Sequence, residues 1–252
     1  MNFIRKIFKY KNQILRSFFS RSKIQDVLDH NYTIYFNKNK SCELSKLCNF
    51  YKTNKGYVLG EPKSKHIDLR NCHSYSDFYS DIFLISKKHV KKVFELGIGS
   101  VNTKKEYNMS FVGKDYISGG SLRVWREYFY NAQIYGADID KECLFTEERI
   151  KTFFVDQGNE ASVNLMWNNI KENNFDIIID DGCHRFEETI IFFENSIDKL
   201  HNNGVYIIED ILLSQRKKFL NYFKNTDYNF KFVNFYRPNI RILNNSLILI
   251  TK

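Results

Sequence analysis

Two short runs carry the densest set of chemically capable side chains, Asp180-Asp181-Gly182-Cys183-His184 and Glu209-Asp210. Each closes an apolar stretch, Phe175 to Ile179 and Gly204 to Ile208, that reads as a buried strand. Neighbouring strands lie about 4.8 Å apart, so pairing of these two brings three or four carboxylates to one edge. Unpaired acids at that spacing repel and raise one another's pKa, a penalty that a hard divalent cation removes. Oxygen ligands suit Mg2+, Mn2+ or Ca2+ rather than zinc. His184 lies in the loop that crosses the same edge. A histidine there is a fit proton acceptor at neutral pH; a loop imidazole satisfied by a backbone carbonyl is the plainer alternative.

A second cluster opens at Glu95-Leu96-Gly97-Ile98-Gly99-Ser100, directly after the apolar run Val93 to Leu96. Two glycines there let backbone approach a ligand closely. The next strand, Gln133 to Ala137, ends at Asp138, where a carboxylate can accept hydrogen bonds from both hydroxyls of a ribose. Nicotinamide dinucleotides bind in a similar place, but their fingerprint adds a third glycine and a helix N-terminus facing the pyrophosphate. This chain runs instead through Ser100-Val101-Asn102 into a polar insertion. S-adenosylmethionine, which has no phosphate to cradle, fits better. Asp156-Gln157, closing a third strand from Thr152 to Val155, is placed for the adenine amine or, equally, for capping the next helix. The cofactor residues on this reading are Glu95, Gly97, Gly99, Asp138, Asp156, Gln157 and Asp180.

Short apolar runs alternating with helical stretches are the pattern of βαβ units, and open parallel sheets bind ligands beyond the carboxyl ends of their strands. Every one of the five strands ends at glycine or an acid. Two further β-like segments, Lys231 to Tyr236 and Ser246 to Thr251, are too close together for a helical crossover and predict an antiparallel hairpin. Upstream, Phe78, Ile82, Phe83 and Ile85 give an apolar face to a helix predicted from Tyr75 through Ile85, with Ser74 or Ser76 as its cap. The expected fold is α/β and Rossmann-like, a mostly parallel seven-stranded sheet with an antiparallel C-terminal hairpin and a helical N-terminal extension. Residues 1–70 are read as that extension and 71–252 as the catalytic domain; about Asn31 to Arg70 carries little pattern.

The chain has 252 residues, 43% of them hydrophobic, enough for one α/β domain with a core. Its five cysteines, Cys42, Cys48, Cys72, Cys143 and Cys183, form no CxxC pair, which argues against a disulfide framework or structural zinc and fits a reducing cytoplasm. No apolar run reaches the roughly 18 residues of a spanning helix, and no signal peptide is expected. Of the net charge of +9, seven units come from Arg5, Lys6, Lys9, Lys11, Arg16, Arg21 and Lys23, leaving +2 for the rest and no footprint for nucleic acid. Ile4, Ile7, Phe8, Ile14, Leu15, Phe18 and Phe19 recur there at helical spacing. Residues 1–25 thus read as an amphipathic helix for packing on its own domain, for self-association in a homo-oligomer, or for docking at the inner face of an anionic membrane.

From His73 to Asp210 the sequence resembles the metal-dependent sugar O-methyltransferases of the macrocin and mycinamicin type, a class I group related to cephalosporin hydroxylase-like proteins. The resemblance rests on His73-Ser74-Tyr75, Phe94 to Gly99, Gly119 to Phe129, Ile134 to Asp140, Ile179 to His184 and Gly204 to Asp210. It implies a magnesium ion on Asp181, Glu209 and Asp210, with His184 as general base; in some members an aspartate takes that role, here Asp181. The stretch between Ser100 and Gly119, with Tyr107, Phe111 and Tyr116, is longer than the resemblance leads one to expect, and serves either as a lid over the acceptor or as a surface loop. The expected activity is methyl transfer from S-adenosylmethionine to a sugar or sugar-nucleotide hydroxyl. The rivals are an acceptor of another kind, such as an amine, a phosphoramidate-type group or a catechol, and a non-catalytic protein recruited through its basic helix.

Overall fold

The computed structural model describes residues 32–36, 41–56, 72–104, 108–112, 116–236 and 245–252. The chain divides into two units, Met1–Thr33 and Ile34–Lys252. The expected amphipathic helix over residues 1–25 lies outside the described residues. Among the described residues, no helix is long and apolar enough to cross a membrane.

The strands are β1 (Tyr32–Phe36), β2 (Lys92–Leu96), β3 (Gln133–Asp138), β4 (Thr146–Glu147), β5 (Ile150–Phe154), β6 (Phe175–Asp180), β7 (Leu200–Ile208), β8 (Asn229–Tyr236) and β9 (Ser246–Thr251). They form one sheet in the order β1-β8-β9-β7-β6-β2-β3-β5-β4. The five expected parallel strands are its centre, and β9 runs antiparallel to both β7 and β8. The expected seven strands are thus the body of the sheet, with β1 and the two-residue β4 at its ends. Chain order reverses at β2, which has β3 on one side and β6 on the other, and this is where an open α/β sheet leaves a crevice.

The helices are α1 (Glu43–Phe50), α2 (Tyr75–Phe83), α3 (Gly120–Tyr128), α4 (Glu160–Ile170), α5 (Phe186–Glu194) and α6 (Arg216–Phe223). Successive side chains of a strand point to opposite faces, and the two faces are filled differently. Val93, Ile134, Ile177, Ile179 and Ile207 join one core cluster with Leu44 and Cys48 of α1, Tyr75, Phe78, Tyr79 and Phe83 of α2, and Leu122 and Trp125 of α3. On the opposite face Phe94 packs on Trp167 of α4 with ring centroids 4.7 Å apart and on Phe192 of α5 at 5.9 Å. Both faces of the central strands are therefore buried, which is why those strands read as unbroken apolar runs.

Helix α2 ends at Phe83, two residues before the expected Ile85. Its buried face is Tyr75, Phe78, Tyr79 and Phe83, whereas Ile82 is exposed and Ile85 is 88% exposed. Ser74 is the N-cap residue but makes no side-chain cap; its hydroxyl accepts from Asn245 Nδ2 at 3.4 Å. The amides of Tyr75 and Ser76 are met by the carbonyl of Lys55, at 3.0 and 3.1 Å. Helix α1 sits in the stretch where the sequence carries little pattern, and it and Lys55 belong to the same compact unit as the sheet.

Candidate active site

Three strand ends build the site. In the parallel register Leu96 stands beside Asp180, and Asp180 beside Ile208. The ladder continues one step further: Gly97 N donates to Ala137 O (2.8 Å), Asp181 N to Leu96 O (3.0 Å) and Glu209 N to Asp180 O (2.9 Å). Gly97, Asp181 and Glu209 therefore lie side by side in one row. Glu95, two residues before Gly97, shares their face, the one covered by α1, α2 and α3. Asp180 falls on the other face by alternation.

That alternation separates the paired aspartates into different environments. Asp180 is buried, and both its oxygens accept from Gln157 Nε2, at 3.0 and 2.8 Å. Gln157 Oε1 in turn accepts from Cys183 N at 2.9 Å, and Gly182 N donates to Asp180 Oδ1 at 3.1 Å. The pair brackets the turn that carries Asp181 to His184. Burial pushes the Asp180 carboxyl up to about 7, against the backbone donor and the nearby His184.

Asp181 faces a different set of groups. The Lys55 ammonium lies 2.6 Å from Asp181 Oδ2 and 3.0 Å from Glu95 Oε1, and it donates to Glu209 Oε2. Lys55 is only 3% exposed. Burial acts to lower its pKa, but Asp181, Glu209 and Glu95 outweigh it and hold the amine protonated. Trp125 Nε1 donates to Glu95 Oε2 at 2.8 Å, and Tyr79 OH donates to Glu209 Oε1. Burial raises the carboxyls of both Glu95 and Glu209. One ammonium thus stands among three carboxyl groups at the sheet edge.

Asp210 leaves β7 with a φ of 57°, in the left-handed region that L side chains rarely adopt, and His184 does the same at 55°. Asp210 Oδ1 accepts from Tyr75 OH at 2.6 Å; its Oδ2 lies 3.3 Å from His73 Nε2 and 3.8 Å from His184 Nε2. His73 stacks on Tyr75, and burial holds its pKa below the ordinary histidine value. One ligand atom each from Asp181, His184 and Asp210 falls within 4.8 Å of the others, a spacing one cation can span. Asp181 and His184 are partly exposed while Asp210 is buried, so this set borders solvent. The carboxylate oxygens of Asp181 and Asp210 fit a hard divalent ion.

The expected site residues are therefore only partly brought together. Asp181, Asp210 and His184 converge. Glu209, expected as a third metal ligand, is turned to Lys55 and Tyr79. Glu95, expected at the cofactor, has no exposed surface and serves Lys55 and Trp125. Gly97 and Gly99 do adopt positive φ, 91° and 88°. The atoms that crowd them belong to the protein: a Cβ on Gly97 would lie 2.1 Å from Asp181 O, and one on Gly99 2.4 Å from Tyr116 OH. Asp138 accepts from Ile98 N (2.9 Å) and Asp140 N (2.8 Å), and Gly99 N and the Cys143 thiol also hydrogen-bond to it. Asp156 accepts from Gly158 N at 3.1 Å, and the cap of α4 is Asn159. A cavity of about 280 Å³, lined by Ser100, Asn102, Ser118, Asp140 and Cys143 among others, lies beyond the ends of β2 and β3. Within the insertion, Tyr116 is buried with its hydroxyl 3.3 Å from Ile98 O, Phe111 is exposed, and Tyr107 lies outside the described residues.

Sequence reasoning misses Lys55, His73, Tyr75 and Tyr79 as site residues. His73 and Tyr75 stand in a run quoted for the resemblance. For Lys55 the sequence holds no signal, since a lysine beside a glycine is ordinarily exposed.

No protein-family model matches the chain. It is 31% identical over 147 residues to the 8-demethyl-8-alpha-L-rhamnosyl tetracenomycin-C 2'-O-methyltransferase of Streptomyces olivaceus, a stretch covering 58% of this chain and 35% of that enzyme. It is 30% identical over 155 residues to the demethylmacrocin O-methyltransferase of Streptomyces fradiae, covering 61% and 36%. With the mycinamicin VI 2''-O-methyltransferase of Micromonospora griseorubida the identity is 29% over 139 residues, covering 55% and 32%. The match thus spans about a third of the length of these curated relatives. Among solved structures, the mycinamycin-pathway methyltransferase MycE in complex with Mg, SAH and mycinamycin VI is similar at a TM-score of 0.50 and 26% identity, over 68% of this chain and 40% of that one. A second MycE structure, with Mg and SAH, shares the fold at a TM-score of 0.56 and 21% identity, over 85% of this chain and 55% of that one. The chain has the Rossmann-like fold of class I methyltransferases and, over a little more than half its length, is related in sequence to sugar O-methyltransferases of the macrocin and mycinamicin kind.

Proposed function

We propose that this chain transfers the methyl group of S-adenosylmethionine to a sugar hydroxyl, assisted by a divalent cation on Asp181 and Asp210. The observation that carries the reading is the convergence of Asp181, Asp210 and His184 beside the glycine turn that follows β2. The relatedness to named sugar O-methyltransferases supports it. When bound, the cation lowers the pKa of the acceptor hydroxyl and fixes its orientation.

The chain's own residues supply the remainder. The turn from Gly97 to Gly99, Asp138 and Asp156 border the cofactor, with the ribose at Asp138. The acceptor oxygen attacks the sulfonium methyl in line; the new C–O bond forms as the C–S bond breaks. The products are a methyl ether, S-adenosylhomocysteine and a proton, which His184 Nε2 accepts from the hydroxyl. Tyr75 and His73 hold Asp210 from behind, and the bracket of Gln157 and Asp180 fixes the turn bearing Asp181 and His184. The acceptor is a small glycoside, a nucleotide-linked sugar or a glycan precursor.

The test is mass spectrometry of a panel of nucleotide sugars and simple glycosides incubated with the full chain, methyl-labelled cofactor and Mg2+ or Mn2+. A labelled methyl ether that disappears in EDTA supports the reading. Transfer to an amine, or transfer indifferent to chelation, contradicts it.

A further inference from the structure

Lys55 has no part in the steps above, yet it occupies the centre of the acidic edge. Lysine is almost never fully buried unless paired, and one carboxylate would suffice to neutralise it. Here acids from three different strands meet one Nζ: Glu95 of β2, Asp181 beyond β6 and Glu209 beyond β7. The ammonium hydrogen-bonds to Asp181 and Glu209, and Glu95 Oε1 adds an ion pair at 3.0 Å. The main chain holds it there. The Lys55 carbonyl accepts the first two amides of α2, and Gly56 lies so close to Ser76 that a Cβ would fall 1.9 Å from its hydroxyl. The stem of Lys55 is thus anchored to the helix whose Tyr75 and Tyr79 contact Asp210 and Glu209.

We propose that Lys55 is a built-in cation of the active site. Its ammonium fills the inner part of the carboxylate cage, keeps Glu209 for itself, and confines the divalent ion to the outer part, on Asp181 and Asp210 beside His184. Glu95 and Glu209 are buried, as is Asp210, while Asp181 and His184 reach solvent. Asp181 is the ligand that the two cations share. Two consequences follow for a positioning residue of this kind. The metal-free protein stays assembled, because the inner acids already have a counter-charge. The divalent ion binds more weakly than the number of acids suggests, because a like charge stands beside it.

This inference rests on the metal-assisted reading above. The test is Mn2+ binding to the full-length wild type and Lys55→Met, measured by electron paramagnetic resonance, with melting temperatures taken with and without Mn2+. The expected result is at least tenfold tighter Mn2+ binding by Lys55→Met, with a lower metal-free Tm and a larger rise in Tm on adding Mn2+. Equal or weaker binding by a folded Lys55→Met overturns the inference and leaves the metal-assisted reading intact. Failure of both proteins to bind Mn2+ overturns that reading and the inference with it. If Lys55→Met does not fold without metal, the double variant Lys55→Met/Glu209→Gln is measured, since it removes one orphaned acid together with its cation. Recovery of a folded protein supports the role; no recovery overturns it.

Discussion

Substituting Gly97→Ala tests how tightly the glycine turn and Asp181 are coupled. A Cβ there would stand 2.1 Å from Asp181 O and 2.8 Å from Asp181 C, and real Cβ contacts essentially never fall below 3.0 Å. The obstructing atoms are backbone, so no rotamer change relieves the contact. Either Asp181 or the turn must move by about 1 Å, and a misplacement of that size costs on the order of 10²-fold in rate. The 91° φ at Gly97 adds strain, and backbone strain of this kind costs about 1–3 kcal/mol. Asp181 N also donates to Leu96 O at 3.0 Å, so displacement disturbs the β2–β6 ladder as well. The assay is single-turnover transfer of labelled methyl, paired with urea unfolding. Gly136→Ala is the control: its Cβ would meet Leu122 Cδ1 at 2.5 Å, the end of a flexible side chain, at a position with ordinary φ. That variant should lose about 1–3 kcal/mol of stability from overpacking and little rate. A folded Gly97→Ala that transfers methyl within about threefold of wild type, where a displaced catalytic group should cost far more, refutes the reasoning. So does a Gly136→Ala variant that is equally slow.

Three further outcomes are expected. His184→Gln should lower turnover by about 10²–10⁴-fold, the usual contribution of a general base, with Mn2+ affinity retained; loss of Mn2+ binding together with turnover would make His184 a metal ligand instead. Trp125→Phe should cost about 1.5–3 kcal/mol in chemical denaturation, because Glu95 Oε2 loses its buried donor, and an unchanged midpoint would contradict that pairing. Asp180 predicts a pH effect whose sign is fixed by its raised folded pKa of about 7 against an ordinary 3.8. The native state holds this proton more tightly than the unfolded chain, so stability falls as pH rises from about 4 to about 7, by on the order of 4 kcal/mol from this group. Asp180→Asn cannot ionise, so its stability relative to wild type should increase across that window; a pH-independent difference contradicts the burial of an ionisable Asp180.

The sheet is legible in the sequence because burial on both faces turns each central strand into an apolar run ending at glycine or acid. Where polarity intrudes, the pattern fails: β7 begins at Leu200 and continues through His201-Asn202-Asn203, with a register shift against β6, so its first half is hidden. Helix α1 is hidden for a different reason. It has eight residues, and its cap is Cys42, whose thiol accepts from Ser45 N at 3.3 Å where serine or aspartate would ordinarily stand. The acids of the site announce themselves, but not their partners. Lys55 owes its burial to Asp181 and Glu209, 126 and 154 residues further on, a pairing that no local pattern encodes. Gln157 reads as a cofactor contact until Asp180 and Cys183 N are seen to occupy both ends of its amide. Motif chemistry locates the edge of the sheet, whereas three-dimensional packing decides which acid faces which partner.

The most direct test of the cation site is a crystal structure of the full chain grown with Mn2+ and S-adenosylhomocysteine, read at the manganese absorption edge. The account predicts one anomalous peak within coordination distance of Asp181 and Asp210, with the adenosyl group beside the turn from Gly97 to Gly99. A peak centred on Glu95 and Glu209 with Lys55 expelled, a peak elsewhere, or a metal-free site under saturating Mn2+ would contradict it.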